Sequence, residues 1–554
     1  MQERSLPPRA PTFLQRFRLR LPIVKQTGDY SGGERILRLS LLAVLVGSVA
    51  ALMGWVLLKL IAFVINAAYY GQWSFVHHSI PNHLAWTLIL VPVVGGLVVG
   101  LMARYGSRQI RGHGIPEAME AVLEKESRIP PRVAWLKPLA SAVSIGTGGP
   151  FGAEGPIIMT GGALGSVFAQ LLDLNPAERK TLLAAGAAAG MTVIFGTPAA
   201  AVLMAVELLL FEWKPRSLVP VAVASVIAQF WRPFLIGPGA MFPMPESALL
   251  PLSGILWCIA AGVVAGLLAM GLTQLVYFFE RQFEKNPVHW MWWPALGGIF
   301  VGLGGWLDPR ALGVGYHNIR ALLNARLSRA AAAKLLVTKG LVWSLALGSG
   351  TAGGVLAPLV MVGGAAGLLL GGWIPVGTPG LWALLVMAGV MGCAMRAPLT
   401  AALFGFEVTG NAHALVALLL VCMVAHLVGV LFQERSIMTE RLALRGHDVR
   451  QELTQDPFEI RRAGDFVRAR AVGTRETSDP DREKSVAPEA AVDERALLSE
   501  VIEMMERRGI CKVPVVARDG GALLGDIDRD DLIAFYAKVR TADRKRSRIL
   551  AWKR

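Results

Sequence analysis

The chain has 554 residues, 54% of them hydrophobic and only 17% charged, with a mean hydropathy of +0.49. A soluble protein carries about a quarter charged residues, so this composition excludes an ordinary soluble protein and indicates a polytopic helical membrane protein. The net charge of +15 does not point to nucleic acid, because no basic patch is interleaved with aromatics; membrane topology and anionic lipid account for it better.

Residues 1–34 form a basic N-terminal segment. Arg4, Arg9, Arg16, Arg18, Arg20 and Lys25, with Arg35 and Arg38 just beyond, precede the first apolar run, a density that fits a cytoplasmic N-terminus. That run, SLLAVLVGSVAALMGWVLL at 40–58, is too long for a cleavable signal and reads as a retained helix. Runs able to cross a bilayer recur to about residue 432, among them 83–103 and 414–432. The hydrophilic tail after Arg445 is most simply cytoplasmic as well, giving an even number of crossings. The expectation is a multi-pass protein of the cell (inner or plasma) membrane, its membrane domain at 35–445. Cys258, Cys393, Cys422 and Cys511 are scattered and form no metal or disulfide pattern. No nucleophile–base pairing or metal-ligand spacing supports an enzyme, and no cofactor is expected.

Three short Gly/Pro-rich segments interrupt the apolar runs: GHGIP (112–116), GAEGP (152–156) and GGVLAP (353–358). In each, glycines free the backbone and a proline then begins a helix where no donor is needed. Free amides at a helix start favour an anion, and three such starts aimed at one place bind it without a full positive charge, so that it can also leave. The competing reading is that these glycines only let helices pack closely. Glu154 stands at one of the starts. An acid there can occupy the anion's place and act as a gate, blocking when ionised and opening when displaced or protonated; the alternative is a structural acid tied to nearby amides.

The chain also repeats itself. GTGGPFGAEGPIIMTGGALG (146–165) lies on GSGTAGGVLAPLVMVGGAAG (348–367), and IFGTPAAAVLMAVE (194–207) on AMRAPLTAALFGFE (394–407), so that Glu207 and Glu407 correspond. Such repeats mark a transporter-like architecture with broken helices meeting near the midplane. The halves are placed at about 80–235 and 249–445.

These residues resemble the CLC family of chloride channels and chloride/proton exchangers. GHGIPE is similar to that family's GSGIPE, GAEGP to its GREGP, GGVLAP to its GGIFAP, and SIMTERLALRG (436–446) to its last helix. The resemblance implies an all-α fold of two inverted halves, a homodimer, and one anion pathway per subunit. It makes Glu154 the gating glutamate and places the anion against His113, Gly114, Ile115, Gly152, Gly155, Val355, Leu356 and Met438. Two of these depart from the family: His113 replaces a serine and Met438 a tyrosine, so both side-chain hydroxyls expected at the central site are missing. His113 either offers an N–H to the anion or turns aside to backbone.

The resemblance also implies a second acid for proton movement, but that position is Leu208. Glu207 reads as structural more readily than as a proton carrier; Glu154, Glu207 and Glu212 are the proton-path candidates. The expected function is therefore a gated, channel-like chloride conductor, with a chloride/proton antiporter on the same fold as the alternative. A CBS-regulated cation transporter is disfavoured, since the midplane segments present amides and few acids. The expected partners are chloride or a related small anion, lipid and a second copy.

Residues 446–490 read as a charged linker. Residues 491–540 resemble a single CBS motif with helix, strand, turn, strand and helix, and 541–554 are a basic tail. Asp528 and Asp531 stand where CBS modules contact nucleotide, but Asp528 replaces a hydroxyl with a charge that repels phosphate. Dimerisation or gating is the preferred role there, and nucleotide binding is doubtful.

Overall fold

In the computed structural model, the described residues are 34–80, 86–247, 249–444, 462–464, 466–467, 491–517 and 523–537. The chain divides into two compact units, residues 1–451 and 452–554. The basic segment 1–33, the stretch 468–490 and the tail 541–554 lie outside the described residues.

The first unit is all-α. Helix α1 (Glu34–Ile65) leads into α2 (Thr87–Tyr105), α3 (Ile115–Glu124), α4 (Pro131–Gly146), α5 (Glu154–Leu171), α6 (Pro176–Phe195), α7 (Pro198–Met204) and α8 (Pro215–Leu235). Helix α9 (Gly254–Lys285) leads into α10 (Trp293–Leu307), α11 (Tyr316–Leu323), α12 (Arg329–Gly348), α13 (Leu356–Gly371), α14 (Pro379–Met395), α15 (Pro398–Thr409) and α16 (Leu415–Phe432), and α17 (Glu440–Leu444) follows. Among the described residues, six helical stretches are long and apolar enough to cross a bilayer, from Arg35–Tyr70 to Ala412–Phe432. Others are not: α3 has 10 residues and α11 only 8, about 15 and 12 Å of helix against a hydrocarbon core of about 30 Å. Helix α3 is a short helix of the kind that the GHGIP interruption predicts, whereas α11 follows no interruption singled out in the sequence.

The two sets correspond element by element, and the backbone records it. Left-handed φ angles fall at Gly112 and Gly313, Gly114 and Gly315, Gly148 and Gly350, and Gly196 and Arg396. Prolines at the first helical turn start α7 and α15, where a missing N–H costs nothing. Helix α1 packs on α6 and α8 as α9 packs on α14 and α16. The correspondence thus extends to α1, ahead of the half placed at about 80–235 from sequence; α1 and α9 share length and packing, but no motif.

The halves meet along α2 and α10, and the contact is reciprocal. A Cβ on Gly96 would strike the carbonyl of Pro294, and a Cβ on Gly298 would fall 2.5 Å from the carbonyl of Pro92. Without a hydrophobic drive between helices in lipid, close backbone approach of this kind is what gives them contact.

The second unit holds a three-stranded sheet in the order β1 (Val492–Asp493), β2 (Lys512–Val516), β3 (Leu523–Asp528), with β1 parallel and β3 antiparallel to β2. Helix α18 (Leu498–Arg508) covers it, burying Leu498, Val501 and Met505 against Val513, Val515 and Ile527. The expected helix–strand–strand–helix order is present; the DGG turn (519–521) lies outside the described residues. Ala463 and Val467 join the same core, and the Ala463 and Gly464 amides donate to Ala496 and Glu494. The unit therefore reaches back into what the sequence reads as linker. Cys258, Cys393 and Cys422 are buried and unpaired, and Cys511 is exposed.

Candidate functional site

The site is built on one turn used twice. Ahead of α3, residues 110–114 loop round two left-handed glycines, Gly112 and Gly114. Lys137, from the middle of α4 and fully buried, donates to the carbonyls of Ile110 (2.9 Å) and Gly112 (2.7 Å). Ahead of α11, residues 311–315 form the matching loop, and fully buried Lys339 of α12 donates to Ala311 (2.9 Å) and Gly313 (2.8 Å). A buried ammonium is costly unless its protons are satisfied; two carbonyls on each lysine do this and fix each loop. The sequence reading did not single out these lysines. The available signal was a lysine within each of two corresponding apolar helices, in LKPLAS and VTKGLV, the second helix also carrying Lys334.

The three Gly/Pro segments do come together. Gly152 and Gly354 pair as an isolated antiparallel bridge, Gly354 N to Gly152 O at 2.8 Å and Gly152 N to Gly354 O at 3.2 Å. Gly353 N donates to Gly112 O at 3.4 Å, which brings in the first segment. At Gly155 only glycine fits, because a Cβ would land on the His113 carbonyl oxygen. Helices α3, α5 and α13 thus begin from one cluster, at Ile115, Glu154 and Leu356. The first amides of a helix have no acceptor within it, so Gly155, Leu356 and Ala357 present donors close to one another.

Glu154 lies in the middle of this cluster and is fully buried. Its Oε1 accepts a hydrogen bond from the Tyr316 phenol at 3.1 Å, while Oε2 has no hydrogen-bond partner. That free oxygen lies over the bridge: a Cβ on Gly152 would collide with it and one on Gly354 would sit 3.0 Å away. Tyr316 went unremarked in the sequence reading, 162 residues from Glu154 and outside every recognised motif.

On the α3 side, His113 is buried with its Nδ1 unpartnered. It has not turned aside to backbone through that nitrogen. Gly114 N donates to Glu117 at 3.0 Å, and Arg441 lies between Glu117 (3.6 Å) and Glu280 (2.9 Å). Met438 is fully buried, and its amide is taken by Ser436 Oγ. Ser436 accepts from Thr439 N too, so the one hydroxyl just ahead of Met438 is committed to the turn into α17. Ile437 is fixed by the Tyr277 phenol, which donates to its carbonyl at 2.7 Å.

Glu207 and Glu407 are reciprocal caps. Glu407 accepts from Ala199 N (3.0 Å) and Ala200 N (2.8 Å) at the start of α7. Glu207 accepts from Leu399 N (3.4 Å) and from Thr400 through both N (3.0 Å) and Oγ1 (2.6 Å) at the start of α15. An acid at a helix N-terminus is favoured by its orphan amides and dipole. Glu212 accepts from Ser217 Oγ at 2.7 Å and pairs with Lys214. Of the three proton-path candidates, then, only Glu154 is at the cluster. Leu208 is fully buried. In the second unit Asp528 pairs with Lys512 at 3.3 Å and accepts from Asp530 N, and Asp531 lies in the following helical turn.

Comparison with known proteins bears on the family and the fold. A family profile described as voltage gated chloride channel matches residues 95–430. A Ralstonia nicotianae protein described as a putative chloride channel protein ClcB-like is 28% identical over 373 residues, covering 66% of this chain and 87% of its own. An Escherichia coli protein described as the voltage-gated ClC-type chloride channel ClcB is 30% identical over 371 residues, covering 65% and 88%. Among solved structures, a slow cyanobacterial Cl-/H+ antiporter superposes with a TM-score of 0.66 at 21% identity, over 75% of this chain and 99% of the other. A CLC-type fluoride/proton antiporter gives 0.62 at 22%, over 74% and 98%. At these identities the structural matches speak to the fold.

Proposed function

The chain belongs to the voltage-gated chloride channel (CLC) family, and from that premise we propose that it carries chloride across the membrane along a path gated by Glu154. One observation carries the proposal: the Glu154 carboxylate is buried at the meeting of three helix starts, with one oxygen unpaired above the Gly152–Gly354 bridge. A dehydrated anion needs donors, and the amides opening α5 and α13 supply them without a fixed counter-charge. The carboxylate and a chloride ion compete for those donors. Bound, the carboxylate closes the path; displaced by chloride, or protonated, it opens it.

The same geometry favours channel-like over coupled movement. Glu207, the acid next to the position where exchangers resembling this chain carry their inner acid, is spent on capping α15, and Leu208 holds no proton. Coupled chloride/proton exchange is the second reading, favoured by the burial of Glu154 itself. A cation is poorly served by a cluster of amides.

The working unit in this proposal is a homodimer in the cell membrane, with both termini cytoplasmic and 35–445 as the transport domain. Exposed apolar residues such as Phe230, Phe234, Leu256 and Leu427 offer a face to lipid or to a second copy. The tail from 491 serves dimerisation or gating, no cofactor takes part, and the chain performs no catalysis. The test is chloride efflux from proteoliposomes with a pH probe outside, using wild type and Glu154→Gln. Faster chloride efflux in the variant, with no opposing proton flux in wild type, fits the proposal. Uphill proton movement in fixed ratio to chloride makes the protein an exchanger.

A further inference from the structure

The Tyr316–Glu154 contact is not part of the repeat. The turn before α3 and the turn before α11 share their glycines and their buried lysine, yet at the first helical position one carries Ile115 and the other Tyr316. Ile115 is buried among apolar side chains. Tyr316 instead sends its phenol across to the other half and donates to Glu154 Oε1 at 3.1 Å. Its ring is held between Phe195 (6.2 Å, edge-on) and Phe242 (5.9 Å), and its backbone follows the loop that Lys339 pins at Ala311 and Gly313. That loop is tied to the first half as well, by Gly313 N to Gly148 O at 3.1 Å. The donor is thereby placed by a rigid frame rather than by a mobile side chain.

We propose that Tyr316 is the latch of the gate, a positioning residue that holds the Glu154 carboxylate over the Gly152–Gly354 bridge and so sets how much chloride is needed to displace it. This rests on the reading of Glu154 as the gate. A phenol donor stabilises the carboxylate where it blocks the path and does nothing for it once it has swung away. Removing the donor therefore shifts the competition towards chloride, while the open path keeps its own maximal rate. A residue that merely supported the fold would lower the maximal rate instead.

The experiment compares full-length wild type, Tyr316→Phe, Glu154→Gln and the double variant in proteoliposomes, measuring initial chloride flux against chloride concentration. Tyr316→Phe keeps the ring between Phe195 and Phe242, and elution as a single species in detergent checks its fold. A hydrogen bond to a charged group corresponds to roughly a tenfold change in such a competition. Tyr316→Phe is therefore expected to lower the half-saturating chloride concentration roughly tenfold, with the maximal rate within about twofold of wild type. In the Glu154→Gln background the substitution is expected to change neither quantity. An unchanged or raised half-saturation, or the same shift in the Glu154→Gln background, overturns the latch. If Glu154→Gln itself leaves flux and half-saturation at wild-type values, the gate reading fails, and the latch falls with it.

Discussion

The two lysine-pinned turns are the most instructive comparison in the molecule. Each has two left-handed glycines, a buried lysine on two carbonyls, and a helix starting immediately after. One presents His113 and Ile115; the other presents Val314 and Tyr316. The same divergence recurs at the bridge, where Glu154 in the first half stands opposite Leu356 in the repeat. Duplication supplies a rigid frame of turns and helix starts, and a few unmatched side chains, Glu154 and Tyr316 among them, break its symmetry; in the proposed function that break makes one gate.

The comparison can be broken at the frame first. Lys137→Met and Lys339→Met each strand two buried carbonyls, at a cost of about 2–5 kcal/mol in total. Similar losses are expected for the two variants in thermal unfolding followed in detergent; a loss in one alone would mean that the turns are not equivalent. Next come the reciprocal caps. Glu207→Gln and Glu407→Gln each weaken an acid-capped helix start by about 1–2 kcal/mol, the former more because the Thr400 hydroxyl adds a third donor. Neither is expected to alter the proton-to-chloride ratio in proteoliposomes, and a changed ratio in Glu207→Gln alone would make that acid a proton carrier. The smallest effect belongs to an unmatched side chain away from the gate. His113→Ala removes a buried nitrogen with no partner and is expected to change chloride-over-nitrate preference by only about two- to fivefold, a single neutral hydrogen bond's worth. No change at all would place His113 off the anion's route.

Much of this frame was legible in the sequence because glycine and proline punctuate it. The three helix starts, the acid among them and the correspondence of Glu207 with Glu407 are all visible in residues 112–116, 146–165, 194–207 and their later counterparts. What stayed hidden is instructive in physical terms. The turns before α3 and α11 share little beyond their glycines, RGHGIPEAM against LGVGYHNIR, because the frame constrains backbone and leaves side chains free. Little in the sequence marks Lys137 and Lys339 out, since their partners are carbonyls, which a sequence does not display. Arg441, between Glu117 and Glu280, and Tyr316, against Glu154, owe their roles to contacts across more than 150 residues. A structural role for Glu207 could be ranked above proton transfer from sequence, but the capping itself, each acid serving the other half's helix, shows only in the fold.

The central claim is that the Glu154 carboxylate and a chloride ion compete for one place above the Gly152–Gly354 bridge. Bromide scatters anomalously and can stand for chloride, so crystals of wild type and of Glu154→Gln grown in bromide test it most directly. The account predicts an anomalous peak beside the Gly155 and Leu356 amides in Glu154→Gln, weak or absent in wild type wherever the carboxylate holds that place. A peak of equal strength in wild type with the carboxylate still over the bridge, or no peak in either crystal, would contradict it.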